Sequence, residues 1–111
     1  MNEYNPPKLS TSVSGDNVII KIGKEFTFQL VHLFREVYTD KQENNYTYII
    51  DLYETEYIDS AALGILLNMK KYLNCSKNKI KLINCNNYII KLFSLSKFDE
   101  AFMVQPKKAV H

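Results

Sequence analysis

The sequence is poor in the residues and patterns that mark several classes of protein. Its 111 residues include 3 glycines and 3 prolines, too few for a flexible linker or a collagen-like segment. No apolar run approaches the ~20 residues of a membrane-spanning helix, and the N-terminus lacks the basic-then-apolar pattern of an export signal. We therefore expect a cytoplasmic protein with a single core and no membrane insertion.

Neither an excess of one charge nor a set of metal ligands is present. Lysine and arginine total 14 against 12 acidic residues, and Arg35 is the only arginine. Proteins that bind nucleic acids favour arginine for paired contacts with guanine and phosphate, so a nucleic-acid partner is not expected. The two cysteines, Cys75 and Cys85, are distant from His32 and do not have the spacing of a zinc site. The sequence predicts no metal and no cofactor.

What the sequence does contain is an alternation of strand and helix patterns. Strands are predicted at about 9–13, 17–22, 46–52, 79–85 and 101–104. Helices are predicted from about Thr27 to Tyr38, from Ser60 to Asn74, and from Asn86 or Asn87 to about Leu95. This order predicts an α/β fold with a mixed, mostly parallel sheet of four to five strands, in which the first strand is antiparallel to the second. Residues 1–8 are interpreted as an arm, 9–104 as the domain and 105–111 as a polar tail.

Signatures of enzymes are largely absent. The sequence has no glycine-rich phosphate loop and no nucleophile elbow, and His32 is interpreted as a surface residue. The carboxylates Asp51, Glu54, Glu56 and Asp59 follow a predicted central strand, which is where ligand sites form in open parallel sheets. A magnesium-dependent phosphotransfer site is conceivable there, but a solvated acidic loop is the favoured interpretation, and no enzymatic activity is expected.

The most informative segment begins the second predicted helix. Asp59 and Ser60 stand at its N-terminus, and either residue could cap it. The first turn is unusually small because it contains Ala61, Ala62 and Gly64. Glycine inside a helix costs up to ~1 kcal/mol relative to alanine, so Gly64 indicates close packing, either on the sheet or against a partner.

The run Asp59–Gly64 resembles the D-S-[SA]-[GA]-L-G signature of the STAS domain family, which includes bacterial anti-sigma factor antagonists. The similarity covers roughly residues 9 to 104 and includes the turn Ile22–Phe26 and the segment Ile90–Phe93. It implies a STAS fold, a mixed sheet with helices packed mainly on one face.

The resemblance also implies a regulatory function. Ser60 corresponds to the family's phosphorylated serine. The unphosphorylated protein would bind an anti-sigma factor, often a serine kinase of the GHKL type, would release it when phosphorylated, and would be reset by a PP2C-type phosphatase. The residues assigned to partner binding are Glu25, Phe26, Thr27, Tyr57, Asp59, Ser60, Ala61, Ala62, Leu63 and Gly64. The sequence leaves open whether Phe26 is exposed, slightly favours a core position for Phe28, and leaves a homodimer open.

Three alternatives remain. The chain could be a STAS scaffold that is not phosphorylated, for example an accessory subunit of a lipid or anion transporter. It could be a magnesium-dependent enzyme that uses Asp51, Glu54 and Asp59. A nucleotide-binding module is the third alternative, which no phosphate loop supports.

Overall fold

Strands and helices alternate along the chain. The computed structural model describes residues 8–39, 45–74 and 77–108. The strands are β1 (Leu9–Ser14), β2 (Asn17–Ile22), β3 (Glu25–Phe26), β4 (Thr47–Asp51), β5 (Tyr57–Ile58), β6 (Ile80–Cys85) and β7 (Met103–Pro106). The α-helices are α1 (Val31–Thr39), α2 (Ser60–Leu73), α3 (Asn87–Leu95) and α4 (Phe98–Ala101), with 3₁₀ turns at Phe28–Leu30 and Lys77–Lys79. Residues 1–7 of the predicted arm, Cys75 and residues 109–111 of the predicted tail lie outside the described residues.

A five-stranded sheet with the order β1-β2-β4-β6-β7 forms the centre of the molecule. β1 and β2 are antiparallel, and every other neighbouring pair in this sheet is parallel. The hairpin turn at Gly15 and Asp16 has a positive φ of 58° at Gly15 but not at Asp16. This is the pattern of a type II′ turn, which favours glycine at its first central position. The predicted α/β class and the mostly parallel sheet are confirmed.

The helices cover one face of this sheet. The parallel strands follow one another in one direction across the sheet, so right-handed connections place every intervening helix on the same side. Alternate strand residues such as Ile20, Ile50 and Leu82 are fully buried beneath the helices, whereas Ile19 and Ile49 on the opposite face are only half-buried. The predicted one-sided arrangement of the STAS fold agrees with this burial pattern.

Two features differ from the sequence prediction. The strands β3 and β5 form a separate parallel pair, in which Glu25 lies opposite Tyr57 and Phe26 opposite Ile58. The last strand is β7 rather than residues 101–104, because α4 and the buried Phe102 occupy the preceding positions. Periodicity does not distinguish a helix from a strand in such a short apolar segment. In the structure β7 extends two residues into the predicted tail.

Candidate functional site

The candidate site lies at the amino end of α2, next to the β3–β5 pair. The backbone N–H of Asp59 donates a hydrogen bond to the carbonyl oxygen of Phe26 at 3.1 Å. This bond continues the ladder that joins β3 to β5 and brings two segments that are distant in sequence to the first turn of α2. Residues from both segments therefore form one surface.

Asp59 is the N-cap of α2 and also fixes the neighbouring 3₁₀ turn. Its Oδ1 accepts a hydrogen bond from the backbone N–H of Ala62 at 2.8 Å, which is the usual capping contact. Its Oδ2 accepts a hydrogen bond from the backbone N–H of Phe28 at 3.2 Å. A single carboxylate thus connects the start of α2 to the segment that begins at Phe28.

Ser60 is the first residue of α2, and its side chain is exposed. Because Asp59 supplies the cap, the Ser60 hydroxyl is not needed to begin the helix. Of the two residues that the sequence allows as caps, Asp59 is the cap in the structure, and Ser60 lies on the surface.

Small residues surround Ser60 on the exposed side of α2. Ala61 is exposed and Gly64 is half-buried. Apart from its chain neighbours and the backbone of its own helix, a Cβ atom built on Gly64 would meet no atom of the described residues within 4 Å. Packing on the sheet therefore does not require glycine at this position.

Two aromatic residues of the β3 segment have opposite environments. Phe26 is fully buried and stacks on Phe34 with ring centroids 5.6 Å apart. Phe28 is 62% exposed. The prediction that favoured a core position for Phe28 is wrong, and Phe26 is a core residue because its side chain alternates inward with the pleat of β3.

The predicted partner-binding residues accordingly fall into two groups. Phe26 and Ala62 have side chains with no exposed area, so their predicted direct contact with a partner is corrected to a supporting position in the core. The remaining residues are exposed or half-buried, namely Glu25, Thr27, Tyr57, Asp59, Ser60, Ala61, Leu63 and Gly64. Sequence reasoning did not include Phe28 or Leu67, both of which are exposed apolar residues. We call Phe28, Tyr57, Ser60, Ala61 and Gly64 the Ser60 surface.

Two of the four carboxylates that suggested a magnesium site, those of Asp51 and Asp59, accept hydrogen bonds from nearby groups of the protein. Oδ1 of Asp51 accepts hydrogen bonds from the backbone N–H of Tyr53 at 3.0 Å and from Nδ2 of Asn84 at 2.9 Å. Asp59 is occupied by the two backbone contacts described above. Within residues 8–39, 45–74 and 77–108, no cluster of three or more acidic, histidine or cysteine side chains could hold a metal ion.

The buried thiol of Cys85 is expected to be unreactive. Burial raises the pKa of Cys85 to about 12, and the Sγ atom lies 3.5 Å from the carbonyl oxygen of Leu82, to which it donates. The reactive form of a cysteine is the thiolate. At neutral pH Cys85 therefore remains a protonated core residue. His32 is exposed on α1, in agreement with its interpretation as a surface residue.

No helix of the described segments combines the length and the hydropathy that crossing a bilayer requires. The longest of these helices, α2, has 14 residues.

Comparisons with known proteins agree on one family. The profile of the STAS domain matches residues 8–111. A STAS-domain containing protein of Pseudomonas aeruginosa is 30% identical over 93 residues, which cover 84% of this chain and 92% of that protein. A Thermotoga maritima protein named as an anti-sigma factor antagonist is 30% identical over 86 residues, 76% of each chain. A crystal structure with the same description, from the same organism, has a TM-score of 0.74 at 25% identity and covers 87% of this chain and 85% of that chain.

Proposed function

The chain belongs to the STAS domain family, and from this premise we propose that it is an anti-sigma factor antagonist whose binding is switched by phosphorylation of Ser60. Its partner in this proposal is an anti-sigma factor that is also a serine kinase of the GHKL type, and a PP2C-type phosphatase restores the binding form. The observation that carries the proposal is the exposed Ser60 side chain at the start of a helix that another residue caps.

The surroundings of Ser60 favour modification without unfolding. A phosphate adds about −1.5 to −2 charge, and the backbone N–H groups and the dipole at a helix N-terminus accommodate such a charge. The capping bond from Asp59 to Ala62 does not involve the Ser60 hydroxyl. We therefore expect that phosphorylation of Ser60 leaves this capping hydrogen bond intact and does not unfold the domain.

The same phosphate opposes a close protein contact. The small residues Ala61 and Gly64 let a partner approach the backbone of α2, so a phosphate on Ser60 would have to lose its water on binding. The carboxylate of Asp59 adjoins it, and Glu25 and Glu56 are exposed on neighbouring segments. Burying an uncompensated charge costs several kcal/mol, and each 1.4 kcal/mol lowers affinity tenfold.

Phosphorylation can be tested directly with the purified protein. Each GHKL-type serine kinase of the source genome is incubated with the protein, ATP and Mg²⁺, and intact mass spectrometry counts the phosphates added. We expect one phosphate on the wild type and on Ser12→Ala, a control that removes another exposed serine, and none on Ser60→Ala. A PP2C-type phosphatase should remove it.

Failure of every kinase to modify Ser60, or phosphorylation of Ser60→Ala to the wild-type level, would refute the switch. If the protein nevertheless bound the same kinases or a transporter subunit, the alternative of a STAS scaffold without phosphorylation would be favoured.

The substitution Gly64→Ala should change stability and binding in opposite directions. Alanine is favoured over glycine in a helix by up to ~1 kcal/mol, and the added methyl group meets no atom of the described protein, so, with no clash outside its own helix, the free energy of unfolding should rise by about that amount. At a contact that needs close approach, the same methyl group should weaken binding to the kinase that modifies Ser60 by about tenfold. Urea denaturation and titration calorimetry measure the two effects.

Asn68→Ala is the matched control, because Asn68 is exposed on α2 beyond its first turns and alanine also improves helix propensity there. It should stabilise the fold and leave binding unchanged. Unchanged or tighter binding by Gly64→Ala would show that the partner does not contact this turn.

A further inference from the structure

The outer edge of β1 has the composition of a pairing surface. β1 is an end strand of the five-stranded sheet, and no strand among residues 8–39, 45–74 and 77–108 pairs with its outer side. Its six residues, Leu9–Ser14, include no charge and no proline. The opposite edge strand β7 ends at Pro106, with Lys107 and Lys108 immediately after it. Lysine and proline are residues that natural proteins use to protect sheet edges. Within the strands themselves, β7 contains Pro106 and β1 contains neither residue, although Lys8 directly precedes β1.

We propose that β1 pairs antiparallel with β1 of a second copy of this chain, joining the two sheets across a two-fold axis. This inference does not depend on the proposed function, because no residue of β1 belongs to the Ser60 surface.

The hairpin determines which backbone groups are available at this edge. Ser14 lies opposite Asn17 at the two-residue turn, and at the other end of the ladder the backbone N–H of Gly23 donates to the carbonyl oxygen of Lys8 at 3.0 Å. Because the pairs of an antiparallel ladder alternate, Leu9, Thr11 and Val13 direct their N–H and C=O groups away from β2. These three residues supply the donors and acceptors for a further strand.

One register gives the outward-facing backbone groups of all three residues hydrogen-bonding partners. With Thr11 opposite Thr11 of the second copy, Leu9 lies opposite Val13 and Val13 opposite Leu9. Each of these pairs can exchange two N–H···O bonds. A shift of two residues in either direction would leave one of the three without a strand residue opposite it, so the symmetric register is the best supported.

The side chains are complementary in the same register. The Leu9–Val13 contacts are apolar, and Val13 is 54% exposed in the single chain. Thr11 meets its own copy, and threonine pairs are favourable across strands. Two-fold symmetry forms the Leu9–Val13 contact twice, and that self-complementarity favours a second copy over an unrelated strand.

Sedimentation equilibrium across a concentration series tests the proposal. The wild type should form dimers, whereas Thr11→Lys and Thr11→Glu should each raise the dissociation constant at least about tenfold, because two like charges then face each other directly. An equimolar mixture of the two variants should restore dimers, since lysine then faces glutamate. The control Ser94→Lys, at an exposed position on α3, should dimerise like the wild type.

Thr11 is exposed and its backbone faces away from β2, so circular dichroism and the melting temperature of both variants should match the wild type. A wild type that is monomeric at the highest concentration, dimers that persist in Thr11→Lys, or a mixture that stays monomeric would each overturn the proposal.

Discussion

Ser60→Asp is expected to weaken binding to the anti-sigma partner by about a hundredfold. The aspartate places a permanent charge on the Ser60 surface, beside the carboxylate of Asp59, where the proposed partner would contact the small residues of α2. A hundredfold loss corresponds to ~2.8 kcal/mol, which lies within the cost of burying a charge without a counter-charge. Titration calorimetry with the kinase that modifies Ser60 measures the change.

The fold should not respond to this substitution. Asp59 continues to accept the hydrogen bond from Ala62, and an acidic residue in the first turn interacts favourably with the helix dipole. Circular dichroism and the melting temperature should therefore match the wild type. Ser60→Ala should bind like the unphosphorylated protein. The control Ser94→Asp places the same charge on exposed α3 and should change neither property. Equal affinity of Ser60→Asp and wild type would contradict the switch.

The regular elements of the fold were predictable because their signals are local. The helix α2 is Ser60–Leu73 against a predicted range of 60–74, and β4 is Thr47–Asp51 against 46–52. In both segments the apolar period lies within the element, and the polar residues that mark its ends lie directly beside it in sequence. The exposed position of Ser60 also follows from this pattern, since it begins the amphipathic helix on the side away from the apolar residues.

The β3–β5 pair was not predictable, because each strand has only two residues and therefore no period. Its partners, Glu25 with Tyr57 and Phe26 with Ile58, are distant in sequence. Which of Phe26 and Phe28 faces the core depends on this pairing. The cap of α2 could not be assigned from the sequence either, because Asp59 and Ser60 are both good capping residues. The hydrogen bond that Asp59 accepts from the N–H of Phe28 joins residues that are distant in sequence and forms only in the folded chain.

Phe28→Ala is expected to weaken partner binding by about thirtyfold with almost no effect on stability. Exposed aromatic side chains at the centre of an interface commonly contribute ~2 kcal/mol or more, which is about thirtyfold in affinity. Because Phe28 is 62% exposed, its removal should change the free energy of unfolding by less than about 0.5 kcal/mol. Calorimetric titration with the partner and urea denaturation of the variant give the two values.

Two matched variants distinguish the loss of a contact made by Phe28 from other causes of weaker partner binding. Leu95→Ala removes an apolar side chain that is 75% exposed on α3 and should leave binding unchanged, whereas Phe26→Ala should cost ~3–5 kcal/mol of stability because Phe26 is a core residue. Wild-type affinity in Phe28→Ala would remove Phe28 from the contact. Phe28 is ordered as well as exposed, because Asp59 accepts a hydrogen bond from its backbone N–H. The backbone of Phe28 is therefore held close to Ser60 and has little conformational entropy to lose on binding.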